Sequence, residues 1–166
     1  FEISYRFPYI DKKQKHGLIF DFDFSETKNL AYATLEHKLQ FENSEDILKS
    51  TRGGALTYTY RNSFYATHAL KIEYRSSSIN DTIVSLNPNY FGEGNKTQQY
   101  GIISYQFTAD HRDYVGYPLR GYYFSTGVTK LGISNKDDVN KLDLNATFAG
   151  YISLQKNFFI SNNTLG

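Results

Sequence analysis

The stretch "KLDLNATFAGYISL", residues 141–154, alternates along its whole length. Leu142, Leu144, Ala146, Phe148, Gly150, Ile152 and Leu154 fall on one side, and Lys141, Asp143, Asn145, Thr147, Ala149, Tyr151 and Ser153 on the other. A period of two belongs to a β-strand, in which successive side chains point to opposite faces. A strand of this length is more than double the roughly five or six residues usual in a globular sheet.

The same pattern returns along the chain. "GLIFDFDFS" (17–25) sets Leu18, Phe20, Phe22 and Phe24 against Asp21 and Asp23, and "GALTYTYRN" (54–62) sets Leu56, Tyr58 and Tyr60 against Thr57, Thr59 and Arg61. "HALKIEYRS" (68–76) opposes Leu70, Ile72 and Tyr74 to Lys71, Glu73 and Arg75, while "GIISYQFTADHRD" (101–113) opposes Ile103, Tyr105 and Phe107 to Ser104, Gln106 and Thr108. Repeated strands with one apolar and one wet face predict an all-β, antiparallel, up-and-down sheet. In a soluble barrel or sandwich the apolar face would be the core. In a transmembrane barrel it would meet lipid, and the polar face would line the lumen. Tyrosine favours the second: 15 Tyr and 13 Phe make 17% aromatics at a mean hydropathy of −0.53, and tyrosine prefers the lipid–water interface. The expectation is a partial transmembrane β-barrel, with residues 1–166 belonging to one barrel domain.

Connections fall into two kinds. "NSFY" (62–65) and "GYPLRG" (116–121) are tight, whereas "ENSEDILKSTRGG" (42–54), "SSSINDTIVSLNPNYFGEGNKTQQ" (76–99) and "SNKDDVN" (134–140) are long and polar. Short turns at one end and long loops at the other suit a membrane barrel. One irregularity stands out: the apolar phase is even through Phe24 but odd over Ala31, Ala33, Leu35, His37, Leu39 and Phe41. Either a turn at "SETKN" (25–29) or an inserted residue would flip it.

Composition closes off other classes. Eighteen basic against 17 acidic residues, a net charge of +1, and no Lys/Arg cluster give no footprint for nucleic acid. With no cysteine there is no disulfide scaffold or Cys-ligated metal. No apolar run reaches the length of a membrane helix. Phe1 already lies in a strand-like run and the chain has no methionine, so an internal piece without a signal peptide is expected.

Catalytic, cofactor and metal sites are not expected. His16, His37, His68 and His111 lack ligand spacing. Asp21 and Asp23 share a face, but no partner carboxylate can be assigned for glycosidase chemistry, so they read as charges on a wet face. No serine lies in a G-x-S-x-G setting, "GEGNK" (92–96) is loop chemistry, and Asp137 and Asp138 read as a solvated loop tip.

"TADHRDYVGYPLRGYYFSTGVTKLG" (108–132) resembles the BamA/TamA superfamily of outer-membrane assembly barrels. In that family an Asp-containing strand end is followed by a periplasmic Pro-x-x-Gly turn, a pattern filled here by Asp110, Arg112, Asp113, Pro118, Arg120 and Gly121. "FEISYRFPYIDKKQKHGLIFDFDF" (1–24) is similar to the family's aromatic-Pro-Tyr turn before a Gly-initiated strand, carried by Pro8, Tyr9 and Gly17. If both turns are periplasmic, an even number of strands separates them. That favours one long bulged strand over 17–43, followed by 52–61, 66–77 and 99–113.

The family's POTRA repeats, Arg-Gly-Phe loop and C-terminal aromatic strand are absent from the sequence. Seven strands and the start of an eighth are countable, against about sixteen in the barrels it resembles. The resemblance implies a bacterial outer-membrane location and a role in inserting other outer-membrane proteins without covalent catalysis. It further implies as partners membrane lipids, the rest of the barrel, client proteins and accessory subunits. Asp110 and Arg112 would form a lumenal charge network, and Arg120 would meet a carboxylate or lipid headgroup at the rim. A transport barrel (two-partner secretion transporter or porin-like channel) is the alternative, and a soluble ligand-binding β-barrel is a further one. A parent carrying an attached enzyme domain also fits.

Overall fold

A computed structural model describes residues 1–92, 94–155 and 158–166. In chain order its elements are β1 (Glu2–Phe7), β2 (His16–Thr27), β3 (Asn29–Leu35), β4 (Lys38–Asn43), β5 (Lys49–Arg61), β6 (Ala66–Ile79), α1 (Asp81–Leu86), β7 (Thr97–Asp110), β8 (Gly121–Leu131), β9 (Lys141–Gln155) and β10 (Phe158–Leu165). Eight strands form one sheet in the order β1-β2-β5-β6-β7-β8-β9-β10, and β3 with β4 forms a separate hairpin. Every pairing is antiparallel. The sheet is open, with β1 and β10 as its edges. Strands β5, β6 and β7 run 13, 14 and 14 residues, longer than the roughly 9–11 that a tilted strand needs to cross a bilayer.

Register turns the alternation of each strand into rows across the sheet. Phe20, Leu56, Ile72 and Ile103 lie opposite one another in adjacent strands, and so do Asp23, Gly53 and Arg75. The two faces are not equally covered: Ile72 is 50% and Tyr74 52% exposed, but Glu73 between them only 8%. A sheet curled toward its polar side crowds the polar side chains and spreads the apolar ones. That is the inside-out order of a membrane barrel.

One end of the sheet carries the connections 8–15, 62–65 and 111–120; the other carries the β3–β4 hairpin and the segments 80–96 and 132–140. The two proline loops therefore share an end, with β2, β5, β6 and β7 between them. The even strand parity holds, but its expected basis does not. Residues 17–43 are not one bulged strand. β2 stops at Thr27, and 29–43 folds back on itself through Glu36 and His37, both at positive φ (49° and 63°). A register shift does occur, between Ala31 and Ala33, but inside this hairpin. Its odd-phase residues Leu35, Leu39 and Phe41 are exposed, while Leu30 and Tyr32 pack inward.

Three further boundaries differ from expectation. "GYPLRG" is only the second half of a longer loop, 111–120, and β5 begins at Lys49 within the segment expected to be polar loop. The segment 76–99 contains α1, whose N-cap Asn80 accepts a hydrogen bond from the Ile83 backbone N–H through its side chain (3.1 Å). Ile83 and Leu48 are fully buried and, with Ile79, form a small core at this end, against which Leu30, Tyr32, Val84, Tyr90 and Phe91 pack.

Candidate functional site: the polar wall

The charges of the wet face are gathered over one strand of small residues. On β5, Ala55 lies between Asp21 of β2 and Glu73 of β6, and Gly53 lies between Asp23 and Arg75. With almost no side chain on β5 there, the longer residues of β2 and β6 reach across it. Lys71 Nζ and Arg75 Nη2 approach Glu73 at 2.6 and 2.7 Å, Arg75 stands 3.8 Å from Asp23, and Ser4 Oγ donates to Asp21 (2.6 Å). Glu2, Asp21, Asp23, Ala55, Lys71, Glu73 and Arg75 line a recess of about 400 Å³. Its carboxylates outnumber its cations, so the recess presents a negative surface to water.

Beyond this cluster hydroxyls and amides predominate, with the Lys141–Asp143 ion pair on β9 (2.8 Å). Gln106 Nε2 donates to Ser125 Oγ (2.5 Å), Thr129 Oγ1 donates to Ser104 Oγ (3.0 Å), and the hydroxyls of Thr51 and Ser77 share a hydrogen bond (3.1 Å). Hydroxyls and amides tied to one another keep a polar face rigid and still wettable. Such a surface offers hydrogen-bond donors and acceptors to water and to polar solutes.

At the short-loop end the wall terminates in Asp110 and Arg112, which the sequence had singled out. Arg112 grips Asp110 with Nε (2.8 Å) and Nη2 (2.6 Å), and its guanidinium lies 4.8 Å from the Tyr123 ring centre. The two residues are a bidentate pair at the end of β7. The remaining sequence-selected residues shape the loops beside it. Pro118 and Arg120 lie in the 111–120 loop. Gly121 opens β8 at φ +99°, where any Cβ would collide with the His111 carbonyl oxygen. Gly17, the second residue of β2, lies under the carbonyl of Pro8; a Cβ there would stand 2.8 Å from that oxygen and 2.7 Å from Thr59 Oγ1. Tyr9 pins its loop to the neighbouring turn, its hydroxyl accepting from Arg61 (3.2 Å). The Arg120 side chain is exposed and makes no ion pair among the described residues.

Four loop aspartates hold backbone. Asp113 accepts from the N–H groups of Tyr114, Leu119 and Arg120 (2.9, 3.0 and 3.2 Å), and Asp11 from those of Lys13, Lys15 and His16 (3.1, 2.9 and 2.8 Å). At the other end Asp137 accepts from Ile133, Ser134 and Gly101 (2.6, 3.0 and 3.2 Å), and Asp138 from Gln99 (2.6 Å). The "DD" pair is thus an anchor rather than a free loop tip. The donated N–H bonds lower the carboxyl pKa of each of the first three, led by Leu119 for Asp113, His16 for Asp11 and Ser134 for Asp137. Sequence reading missed Asp11, although aspartate followed by "KKQKH" has the form of an Asx-type turn. It also missed the spacing role of Gly53, which only the strand register reveals.

An open antiparallel sheet of long strands, apolar on its spread face and charged on its crowded one, is a section of an outer-membrane β-barrel. Over 153 residues the chain is 30% identical to the outer membrane porin PhoE of Salmonella typhimurium, a match covering 88% of this chain and 39% of that protein. The chain thus spans about two fifths of the relative's length. No family model matches the chain, and no solved structure does. The protein is an outer-membrane β-protein.

Proposed function

We propose that residues 1–166 form part of the wall of a porin-like channel, with the polar face lining a water-filled lumen. Ions and small hydrophilic solutes would pass along it without covalent chemistry, and the short-loop end would face the periplasm. The observation that carries this reading is the recess over β5, where Glu73 is held between Lys71 and Arg75 beside Asp21 and Asp23. A membrane protein has no reason to cluster charges on a strand face unless that face meets water. The likeness to a porin supports a channel over the assembly activity implied by the proline-turn resemblance.

The test uses the whole barrel reconstituted in a planar bilayer under a salt gradient. Glu73→Gln and Asp23→Asn are expected to shift the reversal potential toward anion preference, most strongly at low ionic strength, where screening is weakest. A barrel that conducts no ions, or whose selectivity ignores both substitutions, would overturn the proposal.

A further inference from the structure

The apolar face carries an unusual ring stack at its short-loop rim. His16 of β2, Tyr60 of β5, His68 of β6 and Phe107 of β7 lie opposite one another across four strands. Tyr60 is stacked between the two histidines, at centroid distances of 5.1 Å to His16 and 5.9 Å to His68. One row further in, Tyr58 and Tyr105 reach back so that their hydroxyls bond Nδ1 of His16 (2.5 Å) and of His68 (2.7 Å). The second ring nitrogen of each histidine has no partner among the described residues.

Two cations border this stack. Lys13 and Lys15 line the same groove as His16, Tyr58, Tyr60 and His68, and neither pairs with a carboxylate among the described residues. Their loop is built to stay in place: Asp11 accepts from the backbone of both, and the Lys15 carbonyl accepts from the Arg61 backbone N–H (2.7 Å). The groove has a volume of about 590 Å³, and at Leu70 it runs into the half-exposed band of Leu56 and Ile72. It therefore offers donors and positive charge at the rim, and hydrocarbon surface directly below.

We infer that this groove binds one anionic phospholipid, its phosphate between Lys13, Lys15 and the free imidazole nitrogen of His16, its headgroup hydroxyls toward that of His68, and its acyl chains along Leu70, Leu56 and Ile72. Charge selects the occupant. A groove open to lipid, with unpaired ammonium groups at headgroup level, favours a net-negative headgroup over a zwitterionic one. The tethered loop and stacked rings hold the donors in position before the lipid arrives, which lowers the ordering cost of binding. The inference depends on the apolar face meeting lipid and is independent of what crosses the lumen.

The whole barrel, purified in detergent, is titrated with phosphatidylglycerol, with phosphatidylcholine of the same acyl chains, and with inorganic phosphate, bound species being counted by native mass spectrometry. One phosphatidylglycerol per groove is expected, bound roughly tenfold more tightly than phosphatidylcholine. Lys13→Gln with Lys15→Gln should erase that preference and leave phosphatidylcholine binding unchanged. His68→Phe, which keeps a ring in the stack, should weaken phosphatidylglycerol several-fold. Wild-type preference retained in the double-lysine variant would overturn the site, as would equal binding of the two lipids. Inorganic phosphate binding as tightly as the lipid would also overturn it, leaving only an anion site. The lysine variants alter side chains with no ion pair or hydrogen bond to protein among the described residues, and unchanged heat-modifiable migration on gels would confirm their fold.

Discussion

Gly53 lies directly opposite Asp23 in the β2–β5 ladder, and a Cβ on Gly53 would occupy the space of the Asp23 carboxylate. The glycine thus lets an acidic side chain lie across β5 toward Arg75. Gly53→Ala should push the Asp23 carboxylate aside and cost the whole barrel roughly 0.5–1 kcal/mol, the loss of its approach to Arg75. In an Asp23→Ala background the same change should cost at least ~0.5 kcal/mol less, because the obstacle is gone. Urea unfolding of the four variants in micelles measures the coupling, and strict additivity would contradict it.

Gly121 makes a second, sharper demand on backbone. At φ +99°, with the His111 carbonyl oxygen against its open side, Gly121→Ala should cost about 1–3 kcal/mol from backbone strain alone. Thermal melting should show a drop clearly larger than that of Gly116→Ala in the same loop, where φ is not positive and the nearest neighbour is the Tyr114 ring.

The 111–120 loop should loosen in acid. Backbone N–H bonds from Leu119, Arg120 and Tyr114 lower the Asp113 pKa, so the folded loop binds its proton less readily than the unfolded one. That contribution is fully present above the ordinary carboxylate pKa of about 4 and is lost as pH falls through the lower folded value. Pepsin, which cuts beside aromatic residues such as Tyr114 and Tyr117, is the natural probe. Cleavage in this loop should rise steeply below about pH 4 in the wild type. With rates normalised at each pH to an unstructured peptide, Asp113→Ala should already be cut at about pH 4 as readily as the wild type is in stronger acid.

Ile83→Ala removes a fully buried side chain from the core at the long-loop end. The local cost should be about 2–5 kcal/mol. That core shares only Ile79, the last residue of β6, with the main sheet, so the loss should fall on the loops. Proteolysis should release segments 29–48 and 80–96 while the heat-modifiable migration of the barrel stays unchanged.

The long strands were legible because their period of two extends over a dozen residues or more, and Lys71, Glu73 and Arg75 announce a wet face by alternation alone. The hairpin over 29–43 was not. Its turn is made by Glu36 and His37 at positive φ, where sequence reading looks for glycine or asparagine. Helix α1 was hidden by the β-branched run Thr82, Ile83 and Val84, which favours strand, and only its cap Asn80 hinted otherwise. The polar recess needed the registration of four strands, so neither Gly53 nor the burial of Glu73 could be read from spacing. The histidines show the same limit. His16, His68 and His111 are far apart in sequence, yet each sits beside a short connection, and antiparallel pairing brings them all to one rim.

The small core at the long-loop end also acts as a check on alignment. Its members come from four separate places: Leu30 and Tyr32, Leu48 just before β5, Ile79 at the end of β6, and the segment from Ile83 to Phe91. Leu48 and Ile79 can both turn inward only when β5 and β6 are in their native register, since a slip of one residue would send one of them to the opposite face. Long strands of repeating pattern are the kind most able to slip. A core that closes only over the correct pairing therefore works as proofreading, adding stability to the native alignment after the strands have met and withholding it from every other.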